Sequence, residues 1–123
     1  MESPLEQAAR LPLQDAAFAL WLYAEQLDRE EGVKGARFAL TIQETNTFSR
    51  LRKAHPNRSD EDLRLAIKTA IDFFSACSRY NPNTSAPVYA DVDVAIGKAR
   101  KEYPDFLDDT YSLAHSRLCM MWR

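Results

Sequence analysis

The 123 residues carry a formal net charge of -2, with 46% hydrophobic and 28% charged residues and only 3 glycines. A chain of that length and make-up predicts one domain over residues 1–123 that buries a core without metal or disulfide support, and it excludes the disordered and collagenous classes. The near-neutral charge excludes a strongly basic protein, so contact with a nucleic acid would need a local patch.

Residues 2–11 read as a short helix or a loosely attached arm, with Ser3 and Pro4 as the cap and first-turn pair. From 12 to 31 the pattern is helical. Leu13, Ala17, Leu20, Ala24 and Leu27 form one stripe with Trp21 beside it, while Phe18 and Leu22 project among Asp15, Glu25 and Arg29 on the opposite face. A helix apolar nearly all round either sits at the centre of a bundle or turns its second face to a partner. The closing run Asp28-Arg29-Glu30-Glu31 places negative charge where the helix dipole is already negative, so it predicts a solvated end or a charged contact.

Residues 33–54 are helical at both ends. Phe38 and Ile42 share a face, Phe48 and Leu51 lie about 100° away on a continuous helix, and the polar Gln43-Glu44-Thr45-Asn46-Thr47 between them predicts a kink or break. After the turn His55-Pro56-Asn57-Arg58 comes the cleanest helix of the chain, residues 59–80. Ser59 caps it, Asp60, Glu61 and Asp62 suit its dipole, and Leu63, Ala66, Ile67, Ala70, Ile71, Phe73, Phe74, Cys77 and Tyr80 share one half of its surface. Leu65 and Ala76 fall beyond that apolar half, and Asn81-Pro82-Asn83 ends the helix. Ser85 then offers a cap for the stripe Val88, Val92, Ala95, Ile96, Ala99 and Tyr103. Past Pro104, the residues Asp105, Asp108 and Asp109 open a last helix with the stripe Leu107, Tyr111, Ala114, Leu118, Met121 and Trp122, widened by Phe106, Leu113 and Met120. No segment alternates as a strand does, and no repeat is present, so the expectation is an all-α bundle or orthogonal array of five to six helices.

The longest apolar run, AAFALWLYA at 16–24, is too short to span a bilayer, and the N-terminal region is acidic rather than basic, so neither a membrane span nor a signal peptide is expected. Cys77 and Cys119 lack a C-x-x-C or Cys/His metal spacing and read as reduced, buried thiols of a cytoplasmic protein, although two cysteines also permit one bridge. His115 precedes Cys119 by four residues, which sets imidazole and thiol on one helix face. The acidic groups at 25–31 and 105–109 lack metal-site spacing, and there is no Gly-rich phosphate loop or nucleophile elbow. No cofactor and no metal site are expected.

Arg50, Arg52, Lys53, His55 and Arg58 place five basic or potentially basic residues within nine. Such a cluster engages phosphates, and residues 47–54 after 33–43 permit a helix-turn-helix in which the second helix enters the major groove. Arg50-Leu51-Arg52-Lys53-Ala54-His55 also resembles the R-x-x-x-x-H motif of the helical HEPN ribonuclease superfamily. The resemblance covers these six residues, and Leu51 stands where a polar residue often follows the arginine. It implies proton transfer by His55 and stabilisation of phosphate charge by Arg50. The leading expectation is different: a small non-catalytic module that binds another protein or a second copy of itself. Its contact residues would be Phe18, Leu22, Leu65, Phe106, Leu113 and Met120, the apolar side chains in excess of one stripe per helix.

Overall fold

Helix starts in this chain follow local chemistry. The Ser3 hydroxyl accepts from the Glu6 N–H at 3.2 Å, Pro4 supplies a first residue with no N–H to satisfy, and α1 runs over Pro4–Arg10. The computed structural model describes residues 3–32 and 40–122, with backbone alone for 40–45. Its further helices are α2 (Leu13–Leu22), α3 (Ala24–Glu30), α4 (Leu40–Ala54), α5 (Asp60–Arg79), α6 (Val88–Glu102) and α7 (Asp108–Met121), with no strand among the described residues. Among the described residues the chain is all-α, as expected, with seven helices rather than five or six.

The extra helix arises because the predicted helix over 12–31 is two. Tyr23, at φ -94° and ψ 11°, departs from helical geometry between α2 and α3 although no glycine or proline stands near it. Hydrogen bonds from the Tyr23 N–H to the Ala19 carbonyl and from the Leu27 N–H to the Tyr23 carbonyl continue on either side, so one residue carries the change. Gly32 follows α3 at φ +75°, a left-handed conformation that a side chain would strain, and its N–H bonds the Arg29 carbonyl. The predicted break at 43–47 is absent: α4 is one helix through that polar stretch. The expected faces of Phe38 and Ile42 lie outside the described side chains, as does a helix at 33–39. Nor does Ser85 cap α6. Pro87 precedes its first turn, and the Asp91 carboxylate reaches back to accept from the Thr84 N–H (3.0 Å) and hydroxyl (2.5 Å). Asp105 lies outside α7, which opens at Asp108 and Asp109.

Contacts divide the chain into two compact units, residues 1–70 and 71–123, with the boundary inside α5. In the first unit α4 packs against α1, α2 and α3, and α2 against α1 and α3. Alanines are numerous among its buried residues (Ala8, Ala16, Ala17, Ala24), and Phe18, Leu20, Leu27, Leu51 and Leu63 supply the volume. The small side chains allow close helix approach, and each large one carries a large share of the apolar burial. Ser59 caps α5 through the Asp62 N–H at 3.1 Å, as its sequence predicts.

The second unit is built on aromatic contacts. The Phe73 ring lies 5.0 Å from Phe106, 5.5 Å from Tyr111 and 6.1 Å from Tyr103, the last two edge-on. The Tyr111 hydroxyl donates to the Tyr103 carbonyl, and the Arg100 guanidinium stands 4.3 Å from the Tyr111 ring centre. Val92, Ala95, Ile96 and Ala99 of α6 and Ala114 and Leu118 of α7 complete the buried set where these helices pack. The C-terminal end of α5 is closed by an Asn81 side chain that accepts from the N–H of Asn83, itself left-handed at φ 50°.

Candidate functional site

Each basic residue of the 50–58 segment has a place. Arg50 projects from α4 toward the end of α3 and is 2% exposed. Its Nη2 donates to Asp28 Oδ1 at 2.5 Å and to Glu31 Oε2 at 2.9 Å, its Nε donates to Glu31 Oε1 at 3.2 Å, and Asn46 Nδ2 also donates to Asp28 Oδ1 at 3.2 Å. The acidic end of α3 is therefore a charged contact. Burial opposes the charge on Arg50, but hydrogen bonds to Glu31 and Asp28 outweigh it and leave the guanidinium pKa above its ordinary value. The same hydrogen bond from Arg50 holds the Glu31 carboxyl below its ordinary range against a smaller desolvation effect. Asp28 Oδ2, Thr47 Oγ1 and Arg50 Nη1 are buried with no hydrogen-bond partner among the described residues.

Arg52 pairs with Asp60 and donates to the Arg58 carbonyl at 2.6 Å, so it ties the end of α4 to the start of α5. Arg58 pairs with Asp62 at 3.4 Å, Lys53 is exposed, and His55 Nε2 lies 3.0 Å from the Ala8 carbonyl of α1. Four of the five residues are thus held by partners inside the chain. Arg50, whose guanidinium the HEPN motif would aim at a phosphate, is instead a buried counter-ion.

The six apolar candidates divide sharply. Phe18 and Phe106 are buried, which corrects the outer-face placement of Phe18; Ala76, also read as lying beyond the apolar half of α5, is buried too. Leu22 and Leu113 are half-buried. Leu65 and Met120 are the ones left open, at 63% and 67% exposure. Leu65 lines a groove of about 250 Å³ with Leu13, Gln14, Ala66 and Thr69, and the Arg58 and Asp62 pair lines it too. Met121 is exposed beside Met120 at the end of α7.

A second, open groove of about 560 Å³ lies between α6 and α7, lined by Asp93, Ile96, Arg100, Asp108, Tyr111, Ser112, His115 and Ser116. Arg100 pairs with Asp108 across it at 2.8 Å. His115 Nε2 is 2.7 Å from Asp93 Oδ1, and the other ring nitrogen, Nδ1, is 3.7 Å from the Cys119 sulfur. The i, i+4 spacing of His115 and Cys119 is legible in the sequence; Asp93, 22 positions away, joins them only through the packing of α6 on α7. Cys77 and Cys119 are both free thiols. Burial pushes the Cys77 thiol up to about 12, whereas Cys119, expected to be buried as well, is only half-buried near the end of α7.

Among the described residues no three histidine, cysteine or carboxylate side chains form a group able to hold a metal ion, and no helix is long and apolar enough to cross a membrane. No family model, curated protein or solved structure compared with the chain gives a match.

Proposed function

We propose that this chain is a non-catalytic protein-binding module that docks another protein, or a second copy of itself, through apolar side chains its own fold leaves uncovered. The observation that carries this reading is Leu65, an exposed leucine on a groove that Leu13 and Ala66 line together with the Arg58 and Asp62 pair. Apolar side chains beside charged ones are the make-up of a protein-contact patch. The groove accommodates one or two apolar side chains of a partner, and Met120 with Met121 forms a second exposed patch whose flexible thioethers adapt to varied surfaces. Two free thiols fit a reducing compartment such as the cytoplasm.

The contacts of the basic segment count against the nucleic-acid and ribonuclease readings. Arg50, Arg52 and Arg58 already have carboxylate partners within the chain, which reduces the positive field a phosphate backbone requires.

Light scattering across a concentration series, with a photo-crosslinker placed at position 65 in the source cell, tests the proposal. Concentration-dependent mass, or a discrete crosslinked partner lost in Leu65→Glu, is the expected result. A strict monomer with no crosslink from position 65 or position 120 overturns it.

A further inference from the structure

We propose that Cys119 is a nucleophilic thiol served by His115 and Asp93, and that it exchanges with small carboxylate-bearing disulfides to form a mixed disulfide. The arrangement is that of an activated nucleophile: a thiol within reach of a base, and the base oriented by a third group. With Nε2 protonated and donating to Asp93 Oδ1 at 2.7 Å, the ring leaves Nδ1 to accept the thiol proton at 3.7 Å. That contact has the length of a weak sulfur hydrogen bond and shortens as proton transfer proceeds. His115 also forms part of the wall of the groove between α6 and α7, and Cys119 follows one turn further along α7, partly open to solvent.

The charged groups that line the groove are Asp93 and Arg100 of α6 and Asp108 of α7. Asp93, 2.7 Å from Nε2, holds the His115 ring in place. Arg100 lies over the Tyr111 ring and pairs with Asp108, whose side chain is 87% exposed. A surface pair of this kind exchanges readily, so Arg100 is free to accept a ligand carboxylate instead. Cys77 offers no comparable chemistry, because it is fully buried and its thiol is hard to ionise.

In the exchange, the Cys119 proton moves to His115 Nδ1 and the sulfur attacks one sulfur of RS–SR′. A bond forms between Cys119 Sγ and RS, the original S–S bond breaks with its electron pair on R′S, and R′S takes the proton back from His115. Cys119 and one half of the disulfide end oxidised in the mixed disulfide, and R′SH leaves reduced.

Two probes test this on the whole chain: oxidised glutathione, followed by peptide mass spectrometry, and an aromatic dicarboxylate disulfide, followed by absorbance. The expected results are one glutathionyl group on the Cys119 peptide with none on Cys77, and loss of the fast absorbance phase in Cys119→Ser. His115→Gln slows the reaction at neutral pH at least about tenfold and moves the curve of rate against pH to higher pH. Asp93→Asn slows it by a smaller factor, and Asp93→Glu restores part of the rate. Asp93 is mostly exposed, so its variants keep the fold, which circular dichroism verifies. A Cys119 rate and pH curve unchanged in both His115→Gln and Asp93→Asn, or glutathionylation of Cys77 as fast as that of Cys119, overturns the proposal.

Discussion

Arg50 in the first unit and His115 in the second are both basic side chains held by a carboxylate from another helix, and they have opposite fates. Arg50 is closed in by Asp28, Glu31 and Asn46 and has almost no surface. His115 keeps a third of its side chain open, its partner Asp93 is 63% exposed, and a groove runs beside them. Removing a charge from water makes its partners indispensable, whereas leaving it in water makes the pair worth little to stability and leaves it available for chemistry. The first arrangement is an internal brace and the second a workable site.

The largest test of that contrast is Arg50→Ala, expected to destabilise the chain by about 3–5 kcal/mol in urea titration, because Asp28 stays buried without its counter-ion. Replacing both Arg50 and Asp28 by apolar residues of similar volume should recover much of the loss. A single-variant loss under about 1 kcal/mol would break the comparison.

Next in size is Glu31→Gln, expected to cost about 1 kcal/mol, since this carboxylate is half-exposed and solvent screens its pair with Arg50. The same group sets a pH dependence. The folded chain holds its carboxyl below the ordinary 4.5, so on acidification the unfolded chain binds the proton first. Its contribution is full above about pH 4.5 and disappears as the pH falls through the lower folded value. Thermal melts from pH 6 downward should therefore show a steeper acid loss in the native chain than in Glu31→Gln. Parallel curves would remove Glu31 from the account.

Smaller still is Asp93→Asn, expected to change stability by less than about 1 kcal/mol, as exposed ion pairs do, and so to separate the second site from the first. Leu65→Ser should fall within about 0.5 kcal/mol of the native chain while weakening any association measured by light scattering. A large stability loss from either substitution would mean that its side chain is structural after all.

Helix chemistry was readable in the linear order of residues wherever a signal is local. The Ser3-Pro4 and Ser59 starts, the Asn81-Pro82-Asn83 stop and most of the buried stripes of α5 and α6 depend on neighbours within one or two turns and appear as expected, whereas of the α7 stripe Tyr111, Ala114 and Leu118 are buried and Leu107 and Met121, at its two ends, are exposed. Leu65 was legible for the same reason, since its angular position alone sets it beyond the apolar half of α5. The bend at Tyr23 and the continuity of α4 through its polar stretch were not legible. Packing overrode propensity there, and α3 meets α4 with Asp28 and Glu31 on Arg50. Phe18 misled because an apolar residue on a second helix face looks the same in sequence whether a neighbouring helix or solvent lies beyond it.

Period, caps and composition thus sufficed for the class of fold and for most helix boundaries. Which charges became braces and which stayed reactive depended on partners 22 positions away, Asp28 for Arg50 and Asp93 for His115. Such pairings exist only after helices pack, because burial, not residue identity, sets the strength of a charge's need for its partner.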